Sequence, residues 1–277
     1  MDIAAGSLPP PPGDHAGPGG RRIDWTLGDV GFGVLWFLGL FLLFPLPFVG
    51  LAALATGDEE STLVYAVSLI SGAGSEAGLV VVAAAYTWGK YGGSWERLGI
   101  GIPGWSTLGW AVAALFAALA LGYVYAVFIE ALDVDWLRSE CDDQLPRDVI
   151  NNVGLMTLAG IIAIGFAPVC EEIFFRGFIF PGMVRPWGVV AGVAASGLLF
   201  SMAHISGSLH KTIVPIFIIG AVFAAAYYRS GNVLTPILAH LVFNSVSFAI
   251  LAGGGCDPDD ATALTAARDL LAGAMSA

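Results

Sequence analysis

Charge is what this sequence has least of. Only 12% of its 277 residues are Asp, Glu, Lys or Arg, against 57% hydrophobic, which excludes an ordinary soluble domain, where charged residues make up about a quarter. Basic side chains are scarcer still, 11 Lys and Arg against 22 Asp and Glu, and no patch is basic enough to hold nucleic acid. Cysteine is rare: Cys141, Cys170 and Cys256 share no zinc-binding spacing. The chain also lacks an internal repeat, a Gly-rich phosphate loop and the HExxH helix of zinc proteases.

What is present is apolar length. Seven runs, at about 28–55, 63–88, 106–130, 152–183, 187–206, 212–229 and 232–252, approach or exceed the roughly 20 residues that cross about 30 Å of hydrocarbon. In lipid only helices and closed barrels satisfy their backbone groups, and these runs lack the alternation of barrel strands. The sequence therefore predicts an all-α, polytopic transmembrane bundle of about seven spans. Residues 1–22, MDIAAGSLPPPPGDHAGPGGRR, are too rich in Pro and Gly to bury a core and read as a disordered arm. Residues 23–149 read as three spans and an outer loop, 150–252 as a core of four spans, and 253–277 as an outer tail. The first run is expected to kink at Pro45 and Pro47.

Lys and Arg assign the loops to sides. Arg21, Arg22, Lys90, Arg97, Arg185 and Arg229 fall on one side; Arg138, Arg147, Lys211 and Arg268 fall on the other, among most of the acids. This bias places the N-terminus in the cytoplasm of a plasma-membrane protein. Cys141 and Cys256 both fall on the outer side and are the pair expected to bridge if it is oxidising, provided their Cα atoms lie within about 7 Å.

Ionisable side chains inside spans are costly and mark function by default. Here they are Glu76, Glu171, Glu172, Arg176, His204 and His240, with Asn244 as a polar companion. Glu76, alone among the small residues of SGAGSEAGL, reads as an interhelical hydrogen-bonding group. In PVCEEIFFRGFIF, residues 168–180, Glu172 and Arg176 stand four apart on one helical face and predict an ion pair. Glu171 is turned about 100° away and is left to a cavity or a partner helix. Counting about 1.5 Å per residue from the helix ends, Glu171, His204, His240 and Asn244 fall into one middle layer.

EEIFFR at 171–176, FSMAH at 200–204 and HLVFN at 240–244 match, in order, the motifs EExxxR, FxxxH and HxxxN/D. The chain thereby resembles the CPBP family, which contains the CAAX prenyl endopeptidases and the bacteriocin-processing Abi proteins, also called CAAX amino-terminal proteases. The resemblance covers about residues 150–252. It implies an intramembrane endopeptidase acting on a membrane-associated or lipidated protein or peptide. Glu171 and His204 would activate a water and His240 and Asn244 would stabilise the oxyanion, with Glu172, Arg176 and Phe200 supporting the site. A carboxylate beside a histidine suits general-base chemistry, and donors aimed at the tetrahedral intermediate supply the electrostatic part. A metal-free glutamate mechanism is favoured; if the enzyme is metal-dependent, zinc would sit on Glu171, His204 and His240. Buried Glu and His also serve proton-coupled transporters, and a non-catalytic immunity or scaffold protein is a further alternative.

Overall fold

The computed structural model describes residues 17–132, 145–204 and 209–252. Among them every regular element is helical: α1 (Leu27–Leu42), α2 (Leu46–Thr56), α3 (Thr62–Ala84), α4 (Trp105–Ala131), α5 (Arg147–Ile150), α6 (Val153–Gly160), α7 (Ala167–Glu172), α8 (Phe180–Ala203), α9 (Leu209–Ser230) and α10 (Leu234–Ala252). The all-α expectation holds. Six helical runs are long and apolar enough to cross a membrane, and the outer surface is greasy, with Leu35, Leu54, Val81, Phe116 and Val190 all exposed. This is a multi-pass membrane protein, with lipid rather than water as the solvent for its outside.

The count of seven spans becomes six helical runs because the fourth and fifth are fused into one, Val153–Ala203. That run is folded back on itself. Gly188 interrupts α8 with φ 76° and ψ 174°, a conformation essentially confined to glycine. A methyl built on Gly192 would lie 3.2 Å from the Cα of Val184, whereas a straight helix would separate residues eight apart by about 12 Å. The run is a helical hairpin with Pro186 and Gly188 in its bend, and its two arms are the two predicted spans.

Wide turns mark the descending arm. π-helical segments at Ile161–Phe166 and Ile173–Ile179 each end shortly before a proline, Pro168 and Pro181. The pyrrolidine ring removes an N–H and pushes on the carbonyl of the preceding turn, which a π turn accommodates. The first run breaks where expected: α1 stops at Leu42 and α2 starts after Pro45.

The returning arm is pressed onto α9 by two glycines. A methyl on Gly197 would come within 3.0 Å of the Ala221 nitrogen, and one on Gly220 within 3.1 Å of the Gly197 Cα. Small residues let helices approach this closely without any hydrophobic drive between them in lipid. The core around this contact is aromatic, with Phe174, Phe178, Phe180, Phe200, Phe223 and Tyr227 almost fully buried.

At one end of the bundle the cationic loops meet. Arg22, Arg97 and Arg185 line a cavity with Asp24 and Tyr91, Lys90 pairs with Asp29 at 2.5 Å, and Arg21 bonds the Gly231 carbonyl and the Tyr227 hydroxyl at the α9 terminus. Residues 17–22, assigned to the arm by composition, are therefore built into this end, and Ile23 and Trp25 behind them are buried. The indole of Trp25 donates to the Phe178 carbonyl at 2.8 Å. Tyr65, in the first turn of α3, and Asp148, in α5, contact each other at 3.5 Å beside the loops assigned to the opposite face. Cys141 and Cys256 lie outside the described residues, whereas Cys170 is a buried free thiol.

Candidate active site

The site is assembled from α7, the ends of the hairpin's returning arm and α10, with α3 closing one side. Glu171 and Glu172 end α7, where the helix passes into the second π segment. As the helical spacing requires, they face different ways.

Glu172 is fully buried and its Oε1 accepts from two cations or donors at once: Arg176 Nη1 at 3.0 Å and His240 Nδ1 at 2.9 Å. Arg176, itself fully buried, also donates to the Gly220 carbonyl at 3.0 Å. Its guanidinium carbon lies 4.2 Å from the ring centroid of Phe200, with Phe223 at 5.8 Å. A charge so enclosed is tolerable only with a counter-charge, hydrogen bonds and aromatic faces around it. The predicted ion pair is present. The second partner of Glu172 was not anticipated: the carboxylate holds His240 by one ring nitrogen and so fixes which nitrogen faces the cavity.

Glu171 turns the other way. Its Oε2 stands 3.7 Å from His204 Nε2 and 4.0 Å from His240 Nε2, too far for direct hydrogen bonds and at separations that a water bridges. The opposite nitrogens of both rings are engaged, His204 Nδ1 with the Phe200 carbonyl at 2.8 Å and His240 Nδ1 with Glu172. Phe200 supports both imidazoles, with centroids 4.5 Å from His204 and 5.8 Å from His240. Three of the four predicted catalytic groups therefore converge.

Asn244 is differently placed. Its Nδ2 donates to the Ala163 carbonyl at 2.8 Å, in the first π segment, one helical turn beyond His240. The bond ties α10 to the descending arm and commits one of the two amide hydrogens.

Beside Glu171 is a cavity of about 130 Å³, room for a few waters. Phe37, Phe41, Leu79 and Phe175 form its apolar walls, and Glu171, His204 and Glu76 are polar groups lining it. The interhelical hydrogen bond expected of Glu76 is not made by its Oε2, which is buried without a hydrogen bond, as is that of Glu171. The sequence signal for a place in the site is its charge inside a span, set among small residues that equally suit close helix packing. Among the described residues no three His, Cys, Asp or Glu side chains are disposed to hold a metal ion.

Residues 153–246 match the family model described as Rce1-like, type II CAAX prenyl endopeptidase. The match bears out the resemblance carried by the three motifs, all of which lie inside it. Among curated proteins, the chain is 30% identical over 136 residues to one from Bacillus subtilis named "Putative membrane peptidase YdiL". It is 29% identical over 149 residues to an uncharacterized protein of Mycoplasma capricolum, and 32% identical over 90 residues to an uncharacterized 24.3 kDa protein of Escherichia coli. These alignments take in 49%, 52% and 31% of this chain and 53%, 43% and 40% of the relatives, so the chain spans about half the length of the curated relatives it matches, or less. No solved structure matches.

Proposed function

We propose that the Rce1-like segment 153–246 is the core of an intramembrane endopeptidase that hydrolyses a peptide bond in a membrane-associated or lipidated substrate, using a water activated by Glu171. The observation that carries this reading is the convergence of Glu171 Oε2 with the Nε2 atoms of His204 and His240 at 3.7 and 4.0 Å.

A water held among these three atoms gives one proton to Glu171 as its oxygen attacks the carbonyl carbon. His204 orients the water: its Nδ1 faces the Phe200 carbonyl at 2.8 Å, and donation there leaves Nε2 free to accept. His240 is held at Nδ1 by a carboxylate, which aims its Nε2 at the cavity; as an imidazolium it donates from Nε2 to the developing oxyanion. Asn244 places α10, and with it His240, through its bond to Ala163; its second amide hydrogen is available to the same oxyanion. The aromatic and aliphatic walls beside these groups lower the local dielectric and strengthen each of these interactions.

The mechanism is metal-free. The N-terminus lies in the cytoplasm of the plasma membrane, and the gathering of Arg21, Arg22, Lys90, Arg97 and Arg185 at one end of the bundle supports putting those loops on one side.

The test compares membrane peptides from cells carrying wild-type protein with those carrying Glu171→Gln, matched for expression. Fragments present only with wild type are expected, together with wild-type thermal stability of the purified variant. Identical fragment sets from both would overturn the reading. Exhaustive chelation should leave the purified protein active; loss restored by stoichiometric zinc would replace the metal-free mechanism with one in which Glu171, His204 and His240 bind the metal.

A further inference from the structure

We infer that Glu76 is a second catalytic carboxyl group, held as the acid, that delivers the proton to the leaving amine. This rests on the proposed role of Glu171 and adds the half of the reaction that role leaves open.

Glu76 comes from α3, on the wall of the cavity formed by a different helix from the one that carries Glu171. It is 8% exposed and its Oε2 makes no hydrogen bond. No cation among the described residues is paired with it, and an unpaired ionised carboxylate in so dry a place is far more costly than the neutral acid. A second carboxylate, Glu171, lines the same cavity, and two negative charges there would oppose each other. With His204 Nδ1 turned to the Phe200 carbonyl and Glu171 ionised before attack, the acid O–H of Glu76 is the proton donor among the resting cavity's polar lining.

Peptide hydrolysis needs a base on one side of the carbonyl and an acid at the nitrogen. Glu171 takes a proton from water while the water oxygen bonds to carbon. The C–N bond then breaks, its electron pair stays on nitrogen, and the Glu76 O–H supplies the proton to it. Glu171 is left protonated and Glu76 ionised. Proton transfer between them through water in the shared cavity restores both, and the net change is addition of one water.

Two measurements on the full chain test this. Infrared difference spectra of wild type against Glu76→Gln should contain the carbonyl band of a protonated carboxylic acid that the variant lacks; its absence overturns the proposal without any need for substrate. Turnover is then followed with a quenched fluorescent peptide ending in a farnesylated CAAX sequence, and with its nitrophenyl ester, whose leaving group needs no proton. Glu76→Gln should cut peptide turnover by about 10² to 10⁴ and ester turnover by less than about tenfold, while Glu171→Gln loses both. Equal loss on peptide and ester would make Glu76 structural and overturn the inference alone. Peptide turnover surviving in Glu171→Gln would overturn the reading beneath it, and full peptide turnover in Glu76→Gln would leave that reading intact and remove the second acid.

Discussion

The Glu172–Arg176 pair sets a demanding test of the site's architecture. Both side chains are fully enclosed and lie 3.0 Å apart. Removing one charge strands the other, a loss of about 3 to 5 kcal/mol for a buried pair. Glu172→Gln and Arg176→Met should each be destabilised by about that amount. The double variant strands neither charge, and a neutral Gln–Met pair of similar volume should cost under about 2 kcal/mol. The coupling is then at least about 4 kcal/mol. Equilibrium unfolding in mixed micelles of mild detergent and SDS, followed by far-ultraviolet circular dichroism, gives all four free energies. Because Glu172 also holds His240 at 2.9 Å, the double variant should be stable and still turn over poorly. Singles within about 1 kcal/mol of wild type, or losses that simply add in the double, would refute the reasoning.

Three further outcomes follow from contacts elsewhere. Gly220→Ala sets a methyl 3.1 Å from the Gly197 Cα; parting α8 from α9 should cost about 1 to 3 kcal/mol and draw the Gly220 carbonyl off Arg176, seen as lowered thermal stability in detergent. Asn244→Ala removes the bond to Ala163 and should cost about 0.5 to 1.5 kcal/mol in the same assay; no change would mean that α10 is positioned without it. Cysteine labelling of intact cells should miss substitutions near Arg97 and Arg185 and reach positions 58–61, and the reverse pattern would invert the orientation.

How much of this could be read in advance depended on distance along the chain. The Glu172–Arg176 pair was legible because a helix makes residues four apart neighbours. The meeting of His204 and His240 with Glu171 was legible only as three groups at one depth, since depth fixes a layer and leaves rotation about each helix axis open. That missing angle hid the bond from His240 to Glu172 and the turn of Asn244 toward Ala163. The fused hairpin was hidden because Gly188 reverses the chain by one unusual φ without a polar loop, so the residues announced two spans but not their continuity. Glu76 was legible as a charge in a span but not in its role: its small neighbours do pack closely, Gly74 against Phe44 and Gly78 against Leu40, while its own side chain lines the cavity.

The reversal at Gly188 also bears on when the site comes into being. Glu171 and His204 belong to one contiguous helical hairpin, so their meeting needs no other helix and can be settled as soon as that hairpin has entered the membrane. His240 arrives on α10, with α9 inserted between. A nascent chain thus carries the pair to which the proposed mechanism gives water activation while His240 and Asn244 are still in the ribosome. If those roles hold, hydrolysis waits for α10 to dock, and the hairpin alone is inert in the membrane.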